Sequence, residues 1–445
     1  MRVAIVGAGI IGVTTAYELA ADGHEVTVFE RRGSVAAEAS FANAGLVAPG
    51  HLALRAAPGG VLGRLLNRRA PLRLRPGLDP AAFAWLWRWW QASRARTARA
   101  TGLQCERLAY FSRERLHRLR QDLKLDYERS DGCLVLLRAP KDLDSIGPGL
   151  AQLTELKARF ETLDAQACLA VEPGLNAETA LHAGIYLPDD EVGNCRQFAH
   201  LLRAEAQRLG ARFRFHTRVH TVRPGRAPQL GYAYEPPADS AAHSVQFDSA
   251  PNDAQDTQPL LPHPEAEDFD AIVVCAAPAS RALLRRHGLK LPVHTVFGYS
   301  ITAPLRRHES HPDVGPRSAL IDERHQVTIT RLGARVRVSG GVEFGGSAAR
   351  LDDGVLKTLY LVLHDWFPGS ARLTQAQRWK GARATLPDGP PVLGPSGIDG
   401  VWLNLGHGDH GWAMACGSAR LLADSVAGRP TVIQSDGLGV GRLKG

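Results

Sequence analysis

The chain opens with Met1-Arg2-Val3-Ala4-Ile5-Val6-Gly7-Ala8-Gly9-Ile10-Ile11-Gly12 and arrives, after a helical stretch, at Val26-Thr27-Val28-Phe29-Glu30. Arg2 to Val6 is a short apolar run of strand type. Gly7 allows a tight turn, Gly9 lets backbone approach a pyrophosphate, and Gly12 lets the following helix lie close to the strand. Thr14 to Ala21 continues that helix, whose first amides and dipole face the phosphates. Asp22-Gly23-His24 ends it, Glu25 to Phe29 is a second strand, and Glu30 stands at its tip, where an acidic residue bonds ribose hydroxyls. The spacing predicts a complete cradle for an adenine dinucleotide, with Val3, Ala8, Ile10, Ile11 and Arg31 beside the three glycines and Glu30. A carboxylate at Glu30 repels a 2′-phosphate, which disfavours NADP; the motif alone leaves NAD and FAD open.

At 445 residues the chain can hold two domains, or one large domain with an elaborate insertion. Its 44% hydrophobic and 22% charged content is that of an ordinary globular protein, not of a disordered or fibrous one. The net charge of +8 suits an anionic membrane surface, an RNA or an acidic ligand, and does not choose among them. Cys105, Cys133, Cys168, Cys195, Cys275 and Cys416 are scattered without a C-x-x-C pair, which fits a reduced compartment and argues against structural zinc or a disulfide framework. No apolar run reaches about 18 residues, the length a spanning helix needs. Met1-Arg2 opens straight into a strand without a signal peptide, so a cytoplasmic location is expected.

Further along, Ala36 to Gly45 is a stretch of small residues that lets backbone pass close to a bulky ligand. Residues 51–80 are rich in Pro, Gly and Arg, and Phe83-Ala84-Trp85-Leu86-Trp87-Arg88-Trp89-Trp90 follows, with Arg94, Arg96 and Arg99 beyond. Tryptophans beside arginines read as an interfacial helix on an anionic membrane, as a helix packed in the protein's own core, or more weakly as a nucleic-acid surface. Helices are expected over 106–123, 150–160, 199–209 and 412–427. Pro224 to Asp268 is polar and aperiodic, and reads as a flexible surface insertion. Phe269 to Ala277 then returns as a buried parallel strand, the way a dinucleotide domain resumes after an inserted one. Strand signals at 296–302, 318–321, 327–331 and 336–339 indicate an antiparallel sheet. The expected fold is α/β: a Rossmann-like dinucleotide domain (1–50, 185–222, 268–290 and 380–435) with an inserted α+β substrate domain (51–184 and 291–379), part of which faces a membrane or partner.

Several spaced motifs together resemble the D-amino-acid oxidase family of flavoproteins, and within it the bacterial D-amino-acid dehydrogenases. They are V-A-I-V-G-A-G-I-I-G-V at 3–13, S-F-A-N-A-G at 40–45, A-A-P-G near 57, A-P-L near 70 and L-P-D-D-E-V-G-N-C at 187–195. F-G-Y-S at 297–300, I-D-E at 321–323, I-T-R at 329–331, G-A-R-A-T-L-P-D-G-P-P-V-L-G at 381–394 and N-L-G-H-G-D-H-G-W-A-M-A-C-G-S at 404–418 complete the series. The resemblance spans most of the chain. It implies FAD, a D-amino-acid substrate oxidised to an imino acid that water converts to a 2-oxo acid and ammonium, and a quinone or other respiratory acceptor in place of oxygen. Gly381 stands where the sarcosine-oxidase branch carries a tethering Cys, and 40–45 has no His, so the flavin is expected to be noncovalent. Ser40, Asn43, Ala44, Gly45, Ala276, Gly406, His407, Gly408 and Gly411 join the expected cofactor contacts.

By the same resemblance Arg383 is placed to hold the substrate carboxylate, a task that suits a planar bidentate cation. Arg331, Tyr299, His325 and His410 are further candidates in segments expected to line the site. Gly406, Gly408 and Gly411 open a helix whose amides would stabilise negative charge on the reduced flavin. His407, Asp409 and His410 also have metal-ligand chemistry, but no further protein ligand can be nominated to complete a site, and no metal is expected. The related pattern has R-P-M-T-P-D-G where this chain has Arg383-Ala384-Thr385-Leu386-Pro387-Asp388-Gly389, and G-H-G-T-L-G-W where it has Gly406 to Trp412 with Asp409 and His410. Phe297 replaces a Lys, and a Tyr usual after the Asp-Glu pair is missing near His325. These departures put substrate identity in question more than cofactor binding. The rival readings are an oxidase or dehydrogenase of proline, hydroxyproline, glycine or sarcosine, an RNA-modifying flavoenzyme, and a non-catalytic flavin sensor. No RNA-binding module is recognisable, so no nucleic-acid partner is expected. A peripheral contact of residues 83–99 with the cytoplasmic face of the inner membrane is.

Overall fold

The opening segment folds as its glycines require, into strand Arg2–Val6, helix Ile10–Ala21 and strand Glu25–Phe29. In a computed structural model the protein is described over residues 1–56, 72–74, 80–236, 264–306, 314–347 and 349–443. Arg2–Val6 lies inside a six-stranded sheet ordered Val392–Pro395, Val401–Leu405, Ala271–Val274, Arg2–Val6, Glu25–Phe29, Arg212–Arg214. All neighbours are parallel except the edge strand Val392–Pro395. Both faces of this sheet are covered, which is why its strands read as unbroken apolar runs. Val3 and Ile5 pack toward helices Ile10–Ala21, Cys195–Arg208 and Gly411–Val426. Ala4 and Val6 pack the other way, with Phe29, Leu230, Tyr232 and Leu284.

That second face corrects the reading of 224–268 as a flexible insertion. Gln229–Tyr234 and Glu265–Asp268 are antiparallel strands that join Thr217–Arg223 in a three-stranded sheet. Leu230 and Tyr232, two residues apart, bury against Phe29; that single apolar alternation is too short to register as a strand in the sequence. Residues 237–263 lie outside the described residues, as do most of the A-A-P-G and A-P-L stretches.

The ten-stranded second sheet runs Gln377–Thr385, His294–Pro304, Arg335–Phe344, Val327–Leu332, Ala319–Asp322, Ser130–Leu137, Ala183–Val192, Leu46–Val47, with Leu72–Leu74 and Glu161–Asp164 at its sides. Its first four strands are antiparallel. Helix Asp353–Trp366 covers one face, where Tyr299, Ile301, Val336 and Val338 meet Leu359, Val362 and Trp366. The opposite face turns toward the dinucleotide half: Ser300 donates to the Ala42 carbonyl (2.8 Å), and Arg337 to the Asn43 carbonyl (2.9 Å) and to Thr302 (2.9 Å). Ala183–Val192 and Gln377–Thr385, grouped with the dinucleotide domain in the sequence reading, are strands of this second sheet. The helix expected at 150–160 ends earlier, as Pro140–Glu155, where Lys157 takes a left-handed φ of 54°.

Candidate active site

The cavity that matters lies at the carboxyl ends of the parallel strands, where open α/β sheets bind ligands. Gly7, just past Val6, has φ 102°, and a Cβ there would come 2.8 Å from the Cys275 carbonyl oxygen. A Cβ on Gly12 would lie 1.9 Å from the Gly7 carbonyl oxygen, so neither position admits a side chain. Gly9 meets only Ser40 Oγ, at 3.6 Å, leaving its backbone open to the cavity. Glu30 accepts from the Ala8 amide (2.7 Å) and the Arg32 amide (2.8 Å). Burial raises its carboxyl above the ordinary range, and those two N–H groups oppose the rise. The cradle therefore offers an acceptor pair, donor amides and bare backbone in one line, which fits a dinucleotide.

A cavity of about 390 Å³ runs along this line. It begins at Glu30 and Arg31, passes Gly7, Gly9, Ile10, Ile11 and Ser40, touches Cys275 to Ala279, and ends at Ala382 to Ala384, Asn404 to Gly408 and Gly411. Twelve of the expected cofactor residues thus line one space: Gly7, Gly9, Ile10, Ile11, Glu30, Arg31, Ser40, Ala276, Gly406, His407, Gly408 and Gly411. Val3 is corrected to a core residue, fully buried toward the helices. Ala8 acts through its amide on Glu30, and Gly12 through its closeness to Gly7. Asn43, Ala44 and Gly45 do not line the cavity. Asn43 instead closes its own turn by accepting from the Gly45 amide (3.1 Å), and its carbonyl takes Arg337.

At the far end Arg383 lies over Gly298, where a Cβ would come 1.7 Å from its Nη2; only a glycine on the facing strand leaves room for the guanidinium. Its Nη1 donates to Asp409 Oδ1 at 2.7 Å. Desolvation would raise the Asp409 carboxyl, although its side chain is half exposed, and Arg383 and His410 hold it down at about 2. Burial pushes His407 down to about 3, so its imidazole is neutral, with Nε2 3.1 Å from Ser418 Oγ. Burial lowers His410 as well, against the pull of Asp409. His407 to Gly411 lead into helix Gly411–Val426, and Gly406 holds φ 83° at the turn.

Three sequence candidates are elsewhere. Tyr299 is buried on the helix-covered face, with its hydroxyl on Glu343, which also takes Lys380 Nζ at 2.8 Å. Arg331 donates to the Gly333 carbonyl at 3.1 Å and does not line the cavity. His325 belongs to a cluster around Asp322, whose carboxylate receives His325 Nδ1 (3.0 Å), Trp366 Nε1 (2.8 Å) and Arg138 (2.7 Å). Burial would raise that carboxyl, and these partners hold it at about 2. Sequence reasoning missed Thr217 to His220, Ala277 to Ala279, Ala382, Ala384 and Asn404, which line the cavity, and Arg337, the buried cation that ties the second sheet to Asn43. Strand alternation gave no signal for Ala382 and Ala384, since residues that flank Arg383 turn their side chains to the other face.

A glycine cradle at the strand ends and an arginine at the other end of one continuous cavity fit a dinucleotide-dependent oxidoreductase. Residues 2–425 match the DAO family, described as FAD dependent oxidoreductase, and the chain belongs to that family. FAD is its cofactor. The D-amino acid dehydrogenase of Rhizorhabdus wittichii is 39% identical over 447 residues, covering 99% of this chain and 100% of the relative. That of Bradyrhizobium diazoefficiens is 37% identical over 447 residues, covering 99% of each. Among solved structures, glycine oxidase from Geobacillus kaustophilus superposes with a TM-score of 0.71 at 19% identity over 100% of both chains. L-proline dehydrogenase from P. horikoshii gives 0.68 at 14% identity, covering 100% of this chain and 97% of the other; these two likenesses show the shared fold.

Proposed function

We propose that the protein oxidises D-amino acids to imino acids, which water converts to 2-oxo acids and ammonium, and that its electrons pass to a quinone or another respiratory acceptor. The observation that carries this reading is Arg383, a guanidinium set over Gly298 at the end of the cavity opposite Glu30. Relatives bearing the dehydrogenase name over the whole chain support it. Bound FAD supplies the two-electron acceptor for the hydride on the substrate α-carbon. The chain itself would bind and orient: Glu30 and the amides of the Gly7 to Gly12 turn hold the dinucleotide, and Arg383 holds the substrate carboxylate. Neither His407 nor Asp409 is suited to take a proton near neutral pH, because their affinities lie at about 3 and about 2. In this reading the substrate reacts as the neutral amine, and His407 and Asp409 take no proton from it. The test is anaerobic titration of the yellow protein with D-alanine, L-alanine, D-proline and sarcosine. D-Alanine is expected to bleach the flavin and L-alanine to leave it oxidised; the reverse would overturn the reading.

A second element of the proposal concerns helix Pro80–Ala92. Trp85 is buried, donates its indole N–H to the Thr385 carbonyl (3.2 Å) and meets Phe344 at 5.2 Å, so the packed-core reading holds for this residue. Phe83, Trp87 and Trp90, spaced four and three apart on one stripe, are 62%, 58% and 48% exposed. Arg94 lies over the Trp90 ring at 4.9 Å. Aromatic rings edged by arginine suit the headgroup layer of an anionic membrane. No helix among the described residues is long and apolar enough to cross one. The triple variant Phe83→Ser, Trp87→Ser, Trp90→Ser is expected to lose sedimentation with anionic vesicles while keeping its flavin; unchanged sedimentation would reject the assignment.

A further inference from the structure

The ion pair at the substrate end poses a charge problem. Arg383 gives Nη1 to Asp409 at 2.7 Å and keeps its Nη2 and Nε edge over Gly298. Arg383 lines the cavity and Asp409 does not. The Asp409 side chain is 47% accessible against 22% for Arg383, so the carboxylate is the more solvent-exposed partner of the pair. A substrate carboxylate bound by Arg383 then shares one cation with Asp409. His410 beside them is neutral at neutral pH, since burial lowers its proton affinity. Arg55, on helix Pro49–Ala56, acts on Asp409 more weakly than Arg383 or His410. Nor is the α-amine the missing cation, because it must be neutral when the hydride leaves.

We propose that Asp409 is a specificity-determining residue that selects D-amino acids with a cationic side chain, an ammonium or guanidinium, and disfavours those with a side-chain carboxylate. This rests on the D-amino-acid dehydrogenase reading. With the α-carbon held at the cavity end of Arg383, a substrate side chain directed toward solvent would pass the more exposed Asp409 carboxylate. A cation there balances two carboxylates on one guanidinium, and a further carboxylate makes a third anion.

The test compares kcat/KM of the FAD-loaded enzyme for D-lysine, D-methionine, D-glutamate and D-alanine, in the wild type and in Asp409→Asn and Asp409→Glu. The wild type is expected to favour D-lysine over the neutral D-methionine by about tenfold, the worth of one charge-assisted contact. Asp409→Asn should shrink that ratio to about twofold or less and relieve D-glutamate, whereas Asp409→Glu should keep the preference. A ratio unchanged by Asp409→Asn overturns the proposal, and so does an equal loss on all four substrates, which is what losing a merely structural partner of Arg383 would produce. Oxidation of D-alanine with no charge preference in the wild type removes this proposal and leaves the dehydrogenase reading intact. If no D-enantiomer bleaches the flavin while sarcosine or L-proline does, both fall.

Discussion

The two ends of the cavity are built by opposite means. At the Glu30 end the site consists of what is absent: no side chain fits at Gly7 or Gly12, and the working groups are backbone amides facing one carboxylate. Apart from the Arg32 amide on Glu30 and the Cys275 carbonyl behind Gly7, these groups come from the first thirty residues. At the Arg383 end the site consists of charged side chains that distant segments bring together. Gly298 makes room for Arg383 from the neighbouring strand, and Asp409 arrives on the loop before helix Gly411–Val426. A backbone cradle has little freedom to vary and suits a constant ligand. A side-chain site can change its ligand by single substitutions.

The largest effect should come from breaking the cradle. Gly12→Val puts a side chain where even a Cβ would lie 1.9 Å from the Gly7 carbonyl, backbone against backbone, so the helix must move off the strand. We expect loss of bound flavin and destabilisation of about 4 kcal/mol or more, in the range of severe backbone and overpacking clashes. Flavin absorbance per chain and thermal unfolding followed by circular dichroism measure the two losses. A stably yellow Gly12→Val protein would mean that the cradle does not hold the cofactor.

Next in size, Arg383→Lys keeps a charge but loses the planar fork. KM for D-amino acids should rise about hundredfold, equivalent to about 3 kcal/mol, with flavin content unchanged. If the variant lost flavin instead, the two ends would not be separable in function. If it kept its KM, the carboxylate would bind elsewhere.

A smaller effect concerns pH. Asp409 is held below its unfolded value, so the stability it contributes is present above the ordinary carboxylate range, near pH 4, and is lost as pH falls toward about 2. His407, lowered to about 3, is neutral throughout the working range. Neither group titrates between about pH 5 and pH 10, leaving the substrate amine to set the profile. kcat/KM should rise as pH increases from about 7 to about 10, and Asp409→Asn should retain that rising limb. A flat wild-type profile over this range would require another proton acceptor at the Arg383 end.

The same contrast explains what could be read from the sequence. The cradle is local, and each glycine answers to one steric demand, so residues 1–30 and their role were legible without any structure. The far end depends on which side of a strand faces the cavity, and parity is decided by packing that no short motif encodes. F-G-Y-S illustrates this: Ser300 turns to the Ala42 carbonyl and Gly298 to Arg383, so Tyr299 between them points at Glu343 and the helix. Arg331 fails in the same way. Its neighbour Thr330 is the register partner of Arg337 and shares its face, while Arg331 is paired with Val336. His325 was drawn elsewhere by a buried carboxylate, Asp322, that needed donors. Arg337 gave no sequence signal, because its partners are a backbone carbonyl and a hydroxyl rather than an acid.

The finest test of the comparison is therefore Tyr299→Phe, which changes one atom on the covered side of the strand that carries Gly298. The lost hydroxyl leaves Glu343 with Lys380 as a remaining donor, so the cost should be that of one hydrogen bond to a charged acceptor, about 1 to 2 kcal/mol of stability. Because Tyr299 and Arg383 lie on opposite faces, kcat/KM should stay within about threefold of the wild type, less than one hydrogen bond made in the transition state is worth. Urea unfolding and steady-state kinetics on the same preparation separate the two. A fall in kcat/KM beyond about tenfold without loss of stability would place the tyrosine hydroxyl on the substrate and reverse the face assignment on which the reading of the Arg383 end depends.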